Sequence, residues 1–108
     1  MLPAASPDAA HDFARLDALV RPRSVAVIGA SDEPARIGGR PIAYMMGQKF
    51  AGDLWPVNPR RPTVQGLRAF ASVAELPAAP DVAIIAVPVE LAIQAVDDLG
   101  AKGCRAVI

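Results

Sequence analysis

The sequence predicts an α/β protein in which a parallel sheet carries helices on both faces. Two segments, 25–28 and 82–87, are uninterrupted apolar runs, a pattern typical of strands covered on both sides. Segments with helical periodicity follow these runs, so strands and helices alternate along the chain. The 108 residues are 53% hydrophobic and suffice for one domain with its own core.

The chain is expected to begin with a flexible leader and a short helix. Residues 1–11 are rich in Ala, Pro and Ser, which predicts a leader, and the folded domain is expected over 12–108. Residues 12–20 place apolar side chains at helical spacing. Asp12 can cap the start of this helix, and Pro22 is expected to stop it.

The first strand is predicted at 24–29 and is followed by a loop and a helix at about 40–50. Pro41 falls in the first turn of that helix, where proline is tolerated. Gly52 is expected to close the helix as a left-handed cap. A second strand follows at 54–58.

The second half of the chain repeats the alternation of strand and helix. A short edge strand is predicted near 67–70 and an apolar strand at 82–87. A helix at 88–103 follows, and Gly100 or Gly103 is expected to end it. The apolar side chains expected to share its buried face are Val89, Ala92, Ile93, Val96 and Leu99.

The fifth predicted strand begins at residue 105, and the predicted strand order is 3-2-1-4-5, because right-handed crossovers leave few alternatives. This is a Rossmann-like doubly wound sheet, which binds ligands beyond the carboxyl ends of its strands where the order reverses. No helix follows the last strand to cover it, and a bare apolar edge is a liability. We therefore expect a sheet truncated at its last strand, in a fragment of a longer protein, with an edge that a second copy of the chain could also pair.

Charge, cysteine content and hydropathy exclude several classes of protein. The formal net charge is zero, with 11 basic and 11 acidic residues, which disfavours nucleic acid as a partner. Cys104 is the single cysteine and His11 the single histidine, so the chain has neither an internal disulfide nor a Cys/His metal cluster. No apolar run approaches the ~20 residues of a membrane span, and the N-terminus is unlike a signal peptide. A cytoplasmic location without a membrane partner is expected.

Basic residues concentrate in one part of the chain. Residues 15–68 hold nine basic side chains against four acidic ones, whereas residues 69–108 hold two against five. A basic half in a neutral domain is compatible with a small anionic ligand. A chance distribution of surface charge explains the pattern equally well.

The loop after the first strand is a candidate phosphate site. Backbone N–H groups at the end of this strand and at the start of the next helix favour an anion. Asp32 and Glu33 would repel a phosphate unless they turn away, and the loop lacks the G-x-G-x-x-G pattern of nicotinamide sites. A simple connecting loop is the alternative. The candidate residues are Gly29, Ala30, Ser31, Gly38 and Arg40.

The second strand ends without the carboxylate that usually holds the ribose of NAD. Two arginines, Arg60 and Arg61, stand there instead. Arginine matches phosphate bidentately, so a nucleotide with an additional ribose phosphate fits, either NADP or coenzyme A. A solvated surface pair is the alternative. No serine, histidine and acid arrangement supports catalysis by this chain, and no catalytic residue is predicted.

Five segments together resemble a known family. They are PRSVAVIGASD at 22–32, GRPIAY at 39–44, WPVNPR at 55–60, LRAFASVAELP at 67–77 and DVAIIAVP at 81–88. In this order and spacing they resemble the N-terminal CoA-binding domain of NDP-forming acyl-CoA synthetases. That family includes the ADP-forming acetate–CoA ligases and is related to the succinyl-CoA synthetase alpha subunit.

The resemblance implies that coenzyme A is the ligand and assigns parts of it to residues. The loop after the first strand and the following helix start would hold the CoA phosphates. Val57, Asn58 and Pro59 would line the adenosine side, with Arg60 or Arg61 near the 3′-phosphate. Val87 and Pro88 would flank the pantetheine arm.

The resemblance also implies that the chemistry of such a ligase lies elsewhere. In the family, a phosphorylated histidine and a nucleotide-grasp domain belong to later domains, which would be partners of this chain, and His11 does not match that histidine. The chain is then a CoA-binding part of an acid–CoA ligase, with no metal of its own. Two alternatives stay open: an NADP-binding domain of an oxidoreductase or regulator, and a stand-alone CoA-binding regulatory domain.

Overall fold

The computed structural model describes residues 22–108, so the leader and helix predicted before them lie outside the described residues. Nine elements follow in chain order. They are β1 (Ser24–Ile28), α1 (Arg40–Gly47), β2 (Asp53–Val57), β3 (Thr63–Val64), β4 (Leu67–Arg68), a 3-10 helix (Val73–Glu75), β5 (Val82–Ile85), α2 (Val89–Lys102) and β6 (Ala106–Val107).

Four strands form a parallel sheet in the order β2-β1-β5-β6. β1 lies at its centre, and all five of its residues are buried. Val25 pairs with Leu54 of β2 on one side and with Val82 of β5 on the other. The α/β Rossmann-like class is confirmed, as is the order of these four strands.

The predicted edge strand near 67–70 is largely wrong. Leu67–Arg68 pairs antiparallel with Thr63–Val64, in a separate two-stranded sheet. The reason is the turn between them: Gln65 and Gly66 have φ of 48° and 84°, as in a type I′ turn, which folds the chain back on itself. Phe70 alone reaches the main sheet, through one parallel bridge to Val57.

Helices and loops cover both faces of the sheet, because alternate residues of a strand point to opposite sides. On one face Ala26 and Ile28 belong to a buried cluster with Ala95 and Leu99 of α2. On the other face a smaller buried cluster is formed by Val27, Ala30, Ile42 and Val64. Among residues 22–108, neither helix is long and apolar enough to cross a membrane.

α1 is shorter than predicted. It ends at Gly47, and Lys49, not Gly52, takes the left-handed conformation, with φ of 54°. Gly52 serves a different purpose, because a Cβ there would collide with the carbonyl oxygen of Arg23. Glycine is therefore required at position 52 for close packing, and it does not cap the helix there.

The buried face of α2 is also rotated from the prediction. Leu99 is fully buried and Ala95 is 7% exposed, but Val89 and Ile93 are 73% and 69% exposed. The helix therefore packs on the sheet through Ala95 and Leu99, and the larger Val89 and Ile93 face outward. Gly103 ends the helix with φ of 98°, as predicted.

Candidate functional site

The carboxyl ends of three strands meet at the point where the sheet order reverses. The N–H groups of Gly29 and Ala30 both donate to the carbonyl oxygen of Val57, each at 3.1 Å. On the other side, the N–H of Ala86 donates to the carbonyl oxygen of Ile28 at 2.8 Å. The loop after β1 therefore begins between the ends of its two neighbouring strands.

A first cavity of about 660 Å³ opens at this loop. Six predicted site residues line it: Gly29, Ala30, Ser31, Gly38, Asn58 and Arg61. Six further lining residues were not predicted as part of the site: Asp32, Glu33, Ala35, Arg36, Ile37 and Ala86. The size is within the range of small-molecule sites.

The backbone donors in this cavity differ from those expected. The N–H groups of Gly29 and Ala30 are engaged by Val57, and that of Ser31 donates to the carbonyl oxygen of Gly38 at 3.1 Å. Within residues 22–108, four N–H groups of this loop have no acceptor, those of Asp32, Ala35, Ile37 and Gly38. An anion in this cavity would therefore meet the middle and the end of the loop, because its beginning is already paired.

The two glycines at the end of the loop are needed for packing within the protein. A Cβ at Gly38 would collide with the carbonyl oxygen of Gly29, and a Cβ at Gly39 with that of Glu33. The loop therefore folds closely onto its own backbone, and these two glycines allow that approach.

The acidic residues of the loop are paired. Asp32 accepts the N–H of Gln65 on Oδ1 at 2.7 Å, and its Oδ2 lies 3.7 Å from a guanidinium nitrogen of Arg61. Glu33 accepts a hydrogen bond from Nε of Arg36 at 3.1 Å. Two acids and two arginines thus line the first cavity, and their charges offset one another.

A second cavity of about 610 Å³ lies beyond the end of β2. Three arginines, Arg60, Arg61 and Arg68, line it against a single acid, Glu75. The guanidinium of Arg68 lies 5.1 Å from the ring centroid of Phe70, within the range of a cation–π contact. The positive excess of the site is therefore concentrated here. Asn58 and Arg61 line both cavities, which makes the two adjacent.

Asn58 joins the loops after β1 and β2. Its side-chain nitrogen donates to the carbonyl oxygen of Ala30 at 2.9 Å, and its side-chain oxygen accepts the N–H of Arg60 at 2.8 Å. Its own N–H donates to the carbonyl oxygen of Phe70 at 2.9 Å. The side chain is thus bonded at both ends of its amide.

The remaining predicted residues divide between the cavities and their surroundings. Pro59 and Arg60 line the second cavity. Val57 packs in the core, and Nε of Arg40 donates to the carbonyl oxygen of Ala35. Val87 packs against the core, where it would contact a Cβ built at Gly29, and Pro88 precedes α2 as its N-cap. Arg40, Val57, Val87 and Pro88 line neither cavity.

Two residues of the hairpin β3–β4 belong to the site and were not predicted. Arg68 adds charge to the second cavity, and Gln65 bonds the loop after β1. The available signal was the Gln-Gly pair between Val64 and Leu67, since glycine at the second position suits a two-residue hairpin turn.

These features define a candidate ligand site at the switch point of a Rossmann-like sheet, with a basic second cavity. Residues 23–108 match the CoA binding domain family, and the chain belongs to that family.

The chain is similar to parts of larger proteins that are named as acyl-CoA synthases or acid–CoA ligases. It is 43% identical over 94 residues to trans-feruloyl-CoA synthase FCS1 of an unknown prokaryotic organism, covering 87% of this chain and 13% of that protein. It is 39% identical over 93 residues to the alpha subunit of ADP-forming acetate–CoA ligase II of Pyrococcus furiosus, covering 86% of this chain and 20% of that subunit. This chain thus spans a fifth or less of the length of these two relatives.

A solved structure confirms the fold. It is the dinucleotide-forming acetyl-coenzyme A synthetase 1 of Ca. Korarchaeum cryptofilum, in complex with phosphate and ADP. The TM-score is 0.80 at 34% identity, over 86% of this chain and 20% of that one.

Proposed function

We propose that the chain binds coenzyme A across the two adjacent cavities at the ends of β1 and β2. The observation that carries this proposal is the surplus of arginine in the second cavity, with Arg60, Arg61 and Arg68 against Glu75. A ribose 3′-phosphate is a compact dianion that such guanidinium groups bind well. Membership of the CoA binding domain family supports the same ligand.

The adenosine 3′-phosphate is assigned to the second cavity and the diphosphate to the first. The first cavity has balanced side-chain charges but offers the N–H groups of Asp32, Ile37 and Gly38. Arg61 lines both cavities, so it can contact either phosphate group. The pantetheine arm would then leave past Gly29 and Ala86.

Calorimetric titration with coenzyme A, dephospho-CoA and NADP tests this assignment. We expect coenzyme A to bind more tightly than dephospho-CoA, because only the former carries the 3′-phosphate. Arg60→Ala and Arg68→Ala should each reduce that preference by about tenfold to a hundredfold, the effect of losing a charge-assisted hydrogen bond.

Arg105→Ala is the matched control, since Arg105 is exposed and lines neither cavity. It should bind coenzyme A as the unchanged chain does. Equal affinity for coenzyme A and dephospho-CoA would contradict the role of the arginines. Tighter binding of NADP than of coenzyme A would favour a nicotinamide-dependent protein instead.

We further propose that this chain is the CoA-binding part of an NDP-forming acid–CoA ligase. Its similarity to an ADP-forming acetate–CoA ligase subunit and to a feruloyl-CoA synthase supports this. In such a protein the described residues bind and orient CoA, and other domains catalyse the formation of the acyl-CoA thioester. Reading the coding sequence beyond Ile108 tests the proposal, because a stop codon there would favour a stand-alone CoA-binding protein.

A further inference from the structure

Gln65 contacts the loop between β1 and α1 from the side. Its side-chain nitrogen donates to the carbonyl oxygens of Ser31 and Gly39, at 2.9 and 3.0 Å. Its main-chain N–H donates to Oδ1 of Asp32 at 2.7 Å. One residue therefore bonds both ends of the loop, across 26 to 34 positions in the sequence.

The other bonds to the middle of this loop come mainly from the loop itself and from the start of α1: the N–H of Arg36 donates to the carbonyl oxygen of Glu33 at 3.1 Å, and Nε of Arg40 donates to that of Ala35 at 3.0 Å. Residues 32–37 are all exposed, so burial does not fix them. The N–H of Ser31 closes the neck of the loop on Gly38, at 3.1 Å. The side chains of Arg36 and Glu33, which form an ion pair, are 72% and 71% exposed, and exposed ion pairs contribute little to stability.

Gln65 follows a buried residue and has a strained backbone conformation. It follows Val64, which is fully buried in the cluster that also contains Ile42. Its φ of 48° lies in the left-handed region, which favours glycine over glutamine. Backbone strain of this kind concentrates at functional sites, where the surrounding contacts hold it.

The contact also reaches the arginine that the two cavities share. Gln65 binds one carboxylate oxygen of Asp32, and the other oxygen lies 3.7 Å from Arg61. The hydrogen bond from Gln65 therefore holds the Asp32 carboxylate beside Arg61, the arginine that lines both cavities.

We propose that Gln65 is a positioning residue that holds the loop after β1 in the shape that receives the CoA diphosphate. The inference rests on the proposed function. A loop that adopts the binding shape in only a fraction of molecules binds with an affinity reduced by that fraction. The side-chain donor of Gln65 raises that fraction without touching the ligand.

Two substitutions separate this role from a contribution to folding. Gln65→Met keeps the length of the side chain and removes the donor. Gln65→Gly also removes the donor but relieves the left-handed strain, so it protects the fold. Gln94→Met is the control, because the Gln94 amide donates only to Asp98 on the exposed face of α2.

The ligands are coenzyme A and adenosine 3′-monophosphate, the latter carrying no diphosphate. We expect both Gln65 variants to bind coenzyme A about tenfold more weakly, as when the loop is ordered in about a tenth of the molecules. Binding of adenosine 3′-monophosphate should be unchanged, and amide hydrogen exchange should accelerate at residues 32–38. Gln94→Met should change none of these.

Three results would overturn the inference. If the unchanged chain fails to bind coenzyme A, the proposed function falls and the positioning role falls with it. If the unchanged chain binds and both Gln65 variants bind equally well, only the positioning role is wrong. A parallel loss of both ligands in both variants would show a structural role in place of a positioning one.

Discussion

The side-chain amide of Asn58 donates a hydrogen bond to the carbonyl oxygen of Ala30 at 2.9 Å, so one side chain ties the loop after β2 to the loop after β1. The other end of the same amide accepts the N–H of Arg60 at 2.8 Å. Asn58 thus has a structural task that does not depend on a ligand.

Asn58→Ala should lower the free energy of unfolding by about 1–3 kcal/mol, because it leaves the partly buried carbonyl of Ala30 and the N–H of Arg60 without their partners. Urea unfolding followed by circular dichroism measures this. Gln94→Ala removes an exposed amide and should stay within about 0.5 kcal/mol. Equal stability of the two variants would contradict the structural task.

Asn58→Asp should weaken CoA binding in addition, because it brings negative charge to both cavities. The carboxylate also faces the Ala30 carbonyl without a proton to donate, so this variant should be destabilised too. Titration with coenzyme A should therefore be carried out where the variant is shown to be folded. Unchanged affinity would place the ligand away from Asn58.

Gly38→Ala should destabilise the protein by about 1–3 kcal/mol, since the added Cβ collides with the carbonyl oxygen of Gly29 and the loop must move. Gly100→Ala is the matched control, because nothing lies near a Cβ at that position in α2. It should stabilise the protein by up to about 1 kcal/mol through helix propensity. Thermal unfolding should show a lower melting temperature for Gly38→Ala and an equal or higher one for Gly100→Ala. An unchanged melting temperature of Gly38→Ala would contradict the close packing.

Leu99→Ala should cost about 2–5 kcal/mol, because Leu99 is fully buried and its removal leaves a cavity. Ile93→Ala should change stability by less than about 0.5 kcal/mol, because Ile93 is 69% exposed. Urea unfolding of the pair tests which face of α2 is buried. Similar losses of stability for both variants would show that Ile93 is buried together with Leu99, as the sequence predicts.

Burial raises the pKa of the Cys104 thiol, and the nearby Asp81 carboxylate adds to the effect. The folded state therefore favours the neutral thiol. Its contribution to stability is fully present below the ordinary thiol pKa and is lost as the pH rises through the raised value. Relative to Cys104→Ala, the unchanged chain should lose stability as the pH rises above about 8.5. Urea unfolding across that range measures the difference, and a constant difference would contradict the raised pKa.

Much of the fold could be predicted because it depends on local patterns. The apolar runs of β1 and β5 predict strands covered on both faces, and helices do cover them. Since the carboxyl ends of parallel strands share one edge, the sequence also predicts that Gly29–Ser31 and Asn58–Arg61 lie together, and they line adjacent cavities.

What could not be predicted depends on contacts between distant segments. The N–H groups of Gly29 and Ala30 are occupied by a carbonyl of β2, which no local pattern reveals. Gln65 and Arg68 reach the site only because a two-residue turn folds the chain back before the sheet edge. The buried face of α2 includes Ala95, and because alanine carries a weak hydrophobic signal, the spacing of the larger side chains does not predict this face.

The carbonyl oxygen of Val57 accepts two N–H groups, from Gly29 and Ala30, and so joins the end of β2 to two residues that line the first cavity. Thermal disruption of these two bonds would therefore also separate the end of β2 from the end of β1. The binding free energy of a ligand at this loop is therefore added to the stability of the whole domain. Ligand binding should raise the melting temperature of the domain.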